Sequence, residues 1–166
     1  MFTIETHPTD SVEESYRALN TQLAALLSGE RDFICNAAQF SAFVMQTVAD
    51  LNWSGFYFAR GEELVLGPYV GKVACTRIPF ARGVCGKAAT TLQTQRIEDV
   101  HAFEGHIACD AASASEVVIP VVVNDKLMAV FDMDSPKVGR FSAADQAGLE
   151  SFLATFIAAT DMHWSI

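Results

Sequence analysis

Two segments near the start of the chain repeat their apolar residues at the spacing of an α-helix. Ser11, with Glu14 three residues later, has the pattern of a capping box, and the repeat that follows predicts a helix to about Ser28. Asp32 is the candidate cap of a second helix, which is expected to end near Asp50 and to lie antiparallel to the first. The apolar positions of the two helices are Tyr16, Leu19, Leu23, Leu26 and Leu27, then Phe33, Ala37, Phe40, Val44 and Val48.

The middle of the chain changes to patterns that are typical of β-strands. Residues 53–66 form an aromatic run, a polar turn and a second apolar run, which together predict a hairpin. The apolar runs 117–123 and 127–131, on either side of Asn124 and Asp125, predict a second hairpin. Since both runs are apolar throughout, we expect these two strands to be central and covered on both faces of the sheet.

Between the hairpins the pattern is less regular. Residues 73–79 predict another strand, and residues 83–92 predict a short helix that contains Cys85. Residues 99–115 have no clean period and predict a long loop with a turn of helix. Ordered loops of this length often carry functional residues.

The last part of the chain has the best helical pattern. Ser142 and Asp145 supply a cap and an acidic third position, after Phe141 as a staple-like residue. The apolar face then consists of Leu149, Phe152, Leu153, Phe156 and Ile157. The order of elements predicts an α+β fold in which helices pack against an antiparallel sheet, and residues 1–166 are expected to form a single domain.

Composition and charge exclude several classes of protein. Hydrophobic residues make up 51% of the 166 residues and charged residues 19%, which excludes a disordered chain. A net charge of −9, without any basic cluster, disfavours nucleic acid and membrane surfaces as partners. No apolar run reaches the roughly 18 residues of a membrane helix, and the acidic start does not resemble a signal peptide. A cytoplasmic protein is therefore expected, in which thiols stay reduced.

The cysteines are the first candidates for chemistry. Cys75, Cys85 and Cys109 fall within 35 residues. Small or polar neighbours argue against their deep burial, although one buried structural thiol among the three would be unremarkable. Cys35 stands apart on the apolar second helix, where a small buried side chain is expected.

Two kinds of chemistry compete for these three thiols. A zinc site would need His101 or His106 as a fourth ligand, but ligands for zinc usually come in close pairs and here a second pair is missing, so no metal is expected. Thiol redox chemistry needs one cysteine to attack and another to resolve it. Cys109 is favoured as the attacker because His106 and the start of a helical turn would both stabilise a thiolate.

Acidic and aromatic residues gather at the ends of the predicted strands. Asp132 and Asp134 share one face of their strand because side chains alternate, and Glu116 on the paired strand is expected to come near them. Acids in such a group raise one another's pKa and attract cations. Trp53 and Tyr57 share a face of the first strand, as a core pair or as one wall of a pocket.

Six motifs in order resemble those of the free methionine-(R)-sulfoxide reductases, which are single-domain proteins of the GAF fold. The resemblance covers residues 11–160. Two departures, at Ala81 and Ala114, touch neither a thiol nor a carboxylate. The motifs are Leu51-Asn52-Trp53-Ser54-Gly55-Phe56-Tyr57, Leu66-Gly67-Pro68-Tyr69, Arg82-Gly83-Val84-Cys85-Gly86, Glu98-Asp99-Val100-His101, Gly105-His106-Ile107-Ala108-Cys109-Asp110 and Phe131-Asp132-Met133-Asp134-Ser135.

The resemblance implies a role for each thiol: Cys109 matches the nucleophile, Cys75 the resolving cysteine and Cys85 an auxiliary thiol. Whether Cys75 or Cys85 is the main resolving thiol stays open. The implied activity is the reduction of free methionine-(R)-sulfoxide through a sulfenic acid and an intramolecular disulfide, without a bound cofactor.

The resemblance also implies the residues that bind the substrate. Glu116, Asp132 and Asp134 match the acids that hold the substrate ammonium and help to protonate the sulfoxide oxygen. Trp53 and Tyr57 match the wall around its methyl group.

The implied partners are free methionine sulfoxide as substrate and thioredoxin as reductant. Whether the protein forms a homodimer stays open. The alternative function is that of a GAF-type small-molecule sensor that binds a ligand without catalysis.

Overall fold

The computed structural model describes residues 2–5, 11–105 and 111–162. Within them an antiparallel sheet of six strands has helices on both faces, which confirms the predicted α+β class. The helices are α1 (Val12–Leu26), α2 (Phe33–Thr47), α3 (Gly83–Thr91) and α4 (Ala143–Ala159), with a short 3-10 helix at Val100–Ala102. The strands are β1 (Trp53–Arg60), β2 (Glu63–Gly71), β3 (Arg77–Pro79), β4 (Gln95–Ile97), β5 (Ser115–Val123) and β6 (Lys126–Ser135).

The helix caps predicted from the sequence are present. The Ser11 side chain accepts a hydrogen bond from the backbone N–H of Glu14, and the Asp32 side chain accepts one from Cys35. Ser142 begins α4 with a complete capping box. The first two helices end at Leu26 and Thr47, slightly earlier than predicted.

The sheet has the strand order β3-β2-β1-β6-β5-β4, and all neighbours are antiparallel. Both predicted hairpins form, and β5 and β6 lie inside the sheet as expected. The strand predicted over residues 73–79 is confined to β3. Strand β4 was missed because its three residues have no apolar run.

The two faces of the sheet bury different sets of side chains. Helices α1, α2 and α4 cover one face with the larger core, in which aromatic rings from α2, β1, β6 and α4 pack edge to face or at a tilt. Helix α3 covers the other face with a smaller cluster. In the part of the chain that the structure describes, no helix combines the length and apolar character needed to cross a membrane.

Candidate functional site

Cross-strand pairing on the α3 face of the sheet brings the predicted acidic residues together. Asp134 of β6 lies between Trp53 of β1 and Glu116 of β5. Directly opposed residues of antiparallel strands project to the same face. Asp132 is two residues from Asp134 and therefore shares that face, opposite Gly55. The three acids and Trp53 thus form one group beneath α3.

Two of these acids are buried. Glu116 is 6% exposed and Asp132 is 7% exposed, whereas Asp134 is partly exposed. Asp132 has side-chain hydrogen bonds with Glu116 and with the thiol of Cys85, which lies in the first turn of α3. Its Oδ1 atom is nevertheless buried and has no hydrogen-bond partner among the described residues. The site therefore holds acidic groups away from water with one acceptor still available.

Burial raises the pKa values of Asp132, Glu116 and Cys85, and neighbouring negative charges add to the effect at Glu116 and Cys85. Burial raises the pKa of Asp132 to about 7, although hydrogen bonds with Cys85 and Glu116 counteract part of that effect. Burial, followed by the charges of Asp132 and Asp134, raises the pKa of Glu116 well above its ordinary value. Burial and the same carboxylates raise the pKa of the Cys85 thiol. A carboxyl that keeps its proton at neutral pH can act as a proton donor.

A stack of three aromatic rings lies next to the acids. The ring of Trp53 stacks on those of Tyr57 and Tyr69, at centroid distances of 5.7 Å and 5.3 Å and interplanar angles of 23° and 15°. Its indole N–H donates to the backbone oxygen of Lys72 at 3.2 Å. Tyr57 is buried, and its pKa is raised by burial and by the nearby acids, so that its hydroxyl stays protonated. The stack provides a rigid apolar wall.

Tyr69 is a component of this wall that the sequence interpretation did not include. It belongs to β2, where it pairs with Gly55 of β1. A Cβ at Gly55 would lie 2.3 Å from the Cβ of Tyr69 and 2.7 Å from the Trp53 ring. The glycine therefore makes room for the stack. The available signal was the Leu66-Gly67-Pro68-Tyr69 motif, which the resemblance used without assigning Tyr69 a role.

The described cysteines differ in state and in burial. Cys75 is disulfide-bonded, and it packs against the same apolar cluster that contains Cys85. Cys35 and Cys85 have free thiols. His106 and Cys109, which were predicted to form the nucleophilic end of the site, lie outside the described residues.

The prediction that Cys35 is buried was wrong, and Cys85, among the described cysteines, is the one buried thiol that the sequence interpretation allowed. Cys85 is buried, because glycine lets α3 pack closely: a Cβ at Gly86 would lie 2.6 Å from the backbone oxygen of Phe80. Cys35 is exposed. Cys35 comes two positions after Phe33 in α2. Residues two positions apart lie on different sides of a helix, so Cys35 is not on the buried face that contains Phe33 and Phe40.

The zinc ligands considered from the sequence do not come together in the described part of the chain. His101 is exposed, and its Nδ1 lies 2.9 Å from Asp99. The disulfide-bonded Cys75 has no thiolate to offer. Cys85, Glu116 and Asp132 instead place one potential ligand atom each within 4.8 Å of one another. A cation, if one binds, would therefore be held at the acid group.

The chain is similar to known proteins over most of its length. The family model of the GAF domain matches residues 36–159, so the chain contains a GAF domain. The free methionine-R-sulfoxide reductase of Escherichia coli strain K12 is 50% identical over 141 residues, which are 85% of this chain and 86% of that protein. The Saccharomyces cerevisiae protein of the same name is 39% identical over 146 residues, covering 83% of this chain and 81% of that protein.

A solved structure agrees with these relatives. The free methionine-R-sulfoxide reductase of Neisseria meningitidis, determined in complex with its substrate, superposes with a TM-score of 0.90 at 33% identity. The match covers 96% of this chain and 95% of that one. The chain belongs to the free methionine-R-sulfoxide reductase family, a family of oxidoreductases, and the resemblance drawn from its motifs is confirmed.

Proposed function

We propose that this protein reduces free methionine-(R)-sulfoxide to methionine, with Cys109 as nucleophile. The observation that carries the proposal is the pair of buried acids, Glu116 and Asp132, next to the aromatic stack. Trp53 and Tyr57 of that stack belong to the apolar cluster against which the disulfide-bonded Cys75 packs. Its relatives in E. coli and yeast carry the name of this activity.

The acids supply what the sulfoxide needs in order to react. A sulfoxide oxygen leaves poorly unless it is protonated, and Glu116 is buried under conditions that keep its carboxyl neutral. The Cys109 thiolate attacks the sulfur while Glu116 gives a proton to the oxygen. The oxygen is transferred to Cys109 as a sulfenic acid, and methionine is released. The sulfur of the substrate is reduced by two electrons and Cys109 is oxidised by two.

The second half of the cycle removes the oxygen as water. The Cys75 thiol condenses with the sulfenic acid, so that an S–S bond forms and water leaves. The disulfide state of Cys75 supports its role as the resolving thiol. Because Cys35 and Cys85 are free thiols, the fourth cysteine, Cys109, is the proposed partner. A dithiol reductant, proposed to be cytoplasmic thioredoxin, then restores both thiols.

The remaining residues are proposed to select the free amino acid. Asp134 lies beside Trp53 and Glu116, and its charge suits the substrate ammonium. Asp132, with an available oxygen, is proposed to share that contact. Trp53 and Tyr57 would hold the S-methyl group. Peptide-bound methionine sulfoxide has an amide nitrogen in place of the ammonium and would be excluded.

The test is an assay of the purified protein with dithiothreitol and four substrates: free methionine-(R)-sulfoxide, the free (S)-epimer, N-acetylmethionine sulfoxide and a peptide. We expect methionine from the free (R)-epimer alone. The Cys75→Ser variant should release one methionine per chain and then lose thioredoxin-dependent turnover. Binding of the sulfoxide without any product would instead favour a GAF-type sensor. Equal use of the acetylated substrate would contradict recognition of the ammonium.

A further inference from the structure

The buried group formed by Cys85, Glu116 and Asp132 has the composition of a metal site. A thiol sulfur and two carboxylate oxygens lie within 4.8 Å of one another, and each belongs to a buried residue. It is the one such group found in residues 2–5, 11–105 and 111–162. The three ligands come from α3, β5 and β6, so the packing of α3 on the sheet fixes their relative positions.

A second observation indicates that this group has room for a ligand. Asp132 is 7% exposed, and its Oδ1 atom has no hydrogen-bond partner among the described residues. Buried polar atoms in folded proteins nearly always have a partner. An acceptor left in this state beside a thiol and a second carboxyl is suited to a positively charged ligand.

We propose that Cys85, Glu116 and Asp132 bind Zn²⁺, and that the ion excludes substrate from the site. Zinc accepts both thiolate and carboxylate ligands, and three protein ligands leave a fourth position for water. The hard cations Mg²⁺ and Ca²⁺ prefer six or more oxygen ligands and would not use the sulfur. The thiol and any protonated carboxyl release their protons to solvent when the ion binds.

The distances are compatible with this ion after a modest adjustment. Tetrahedral zinc with bonds of about 2.3 Å to sulfur and about 2.0 Å to oxygen separates its ligand atoms by about 3.3–3.6 Å. The observed limit of 4.8 Å means that no pair must close by more than about 1.5 Å. Rotations of three side chains can supply such a movement.

The competition with substrate rests on the proposed function, whereas the metal site itself does not. Asp132 and its neighbours are the proposed contacts of the substrate ammonium. A zinc ion held by the same oxygens would take the place of that ammonium. The two statements can therefore be tested separately.

The disulfide of Cys75 allows metal binding at Cys85 to be measured without interference from that second cysteine. In the oxidised protein Cys75 cannot act as a ligand, and Cys35→Ser removes the exposed thiol. If Cys109 is the partner of Cys75, Cys85 is then the one free thiol of the chain. A titration that finds one thiol per chain would verify this state. Cd²⁺ is the probe, because its bond to a thiolate produces an ultraviolet charge-transfer band, and Zn²⁺ is then used to displace it.

We expect one Cd²⁺ per chain with a thiolate band, and loss of that band when Zn²⁺ is added in excess. Adding Cys85→Ser should abolish the band, and Asp132→Asn should weaken binding by about tenfold or more. The matched control is Asp99→Asn, which alters the exposed Asp99–His101 pair and should leave binding unchanged. Circular dichroism would verify that each variant is folded.

A missing thiolate band would overturn the site, and so would binding that Cys85→Ser and Asp132→Asn both leave unchanged. Free methionine should raise the apparent Kd for Cd²⁺ if the ion and the substrate share the site. Binding of Cd²⁺ without this competition would support the metal site and overturn the inhibition. Turnover of the sulfoxide by a protein that binds no Cd²⁺ would overturn the metal site and leave the proposed function standing.

Discussion

Replacing Asp132 by asparagine should change how the stability of the protein depends on pH. The side chain is buried between Cys85 and Glu116, and its pKa is raised to about 7. Between about pH 4 and pH 7 the folded protein holds a proton on Asp132 that the unfolded chain has lost. Since the folded state binds more protons in this range, the free energy of unfolding must fall as the pH rises.

The size of this effect follows from the two pKa values. A folded-state pKa of about 7, against an ordinary value of about 3.9, corresponds to about 4 kcal/mol at 1.36 kcal/mol per pH unit. The contribution is fully present below about pH 4 and is lost by the time the pH has passed about 7. The asparagine side chain of the variant does not titrate. The stability of the variant relative to wild type should therefore increase by up to about 4 kcal/mol between pH 4 and pH 8.

The assay is urea unfolding at pH 4, 5, 6, 7 and 8, followed by far-ultraviolet circular dichroism, with both proteins in the oxidised form. The slope of unfolding free energy against urea concentration should match between the proteins at each pH, so that midpoints can be compared. Asp99→Asn is the control, because Asp99 is exposed and its pKa is lowered by hydrogen bonds with His101. The stability of Asp99→Asn relative to wild type should change only slightly with pH, and in the opposite direction.

A difference in stability between Asp132→Asn and wild type that stays constant from pH 4 to pH 8 would contradict a raised pKa at Asp132. Such a constant difference would mean that Asp132 is ionised in the folded protein throughout this range. Asp132 would then hold no proton for catalysis, and Glu116 would be tested by itself with Glu116→Gln.

Four further variants test other parts of the molecule. Cys109→Ser should abolish turnover and keep the fold, because a hydroxyl is far less nucleophilic than a thiolate; more than trace activity would remove Cys109 from its proposed role. Asp134→Asn should raise KM for the free sulfoxide more than it lowers kcat, and Glu116→Gln should do the reverse; steady-state kinetics that show the same pattern for both would contradict the division of roles. Gly148→Ala should destabilise the protein by about 1–3 kcal/mol, since its Cβ would lie 2.1 Å from the ring of Tyr16; an unchanged urea midpoint would be the contrary result.

Much of the fold could be predicted because local signals and tertiary structure agree. The caps at Asp32 and Ser142 and the apolar periods of the long helices are properties of neighbouring residues, and each helix begins where its cap predicts. The turn at Asn124 and Asp125 likewise needs two residues with positive φ, which both adopt.

The elements that were missed depend on distant partners. Strand β4 has only three residues and a charged centre, Arg96, and it exists because it pairs with β5. Strand β2 continues through Gly67 and Pro68, residues that are typical of turns, because the pairing of β1 with β2 shifts register between Gly55 and Tyr57. No local pattern contains this information.

Part of the candidate site could also be predicted from the sequence. Because side chains alternate between the two faces of a strand, Asp132 and Asp134 were expected on one face of β6. The pairing of β5 with β6 then places Glu116 beside them. The burial of Cys85 could not be predicted, because it depends on how closely α3 approaches the loop after β3. Tyr69 joins the site through the bulged pairing of β2 with β1.

The register of three strands explains why the buried acids and the aromatic wall occur together. Trp53, Asp134 and Glu116 form one row across β1, β6 and β5, and Gly55, Asp132 and Val118 form the next. A slip of one residue in β6 would send both aspartates to the opposite face, into the aromatic core. The large apolar core under α1, α2 and α4 therefore does more than stabilise the fold. By fixing the face of Phe131 and Met133 it holds the intervening Asp132 beneath α3, where burial raises the pKa of that carboxyl.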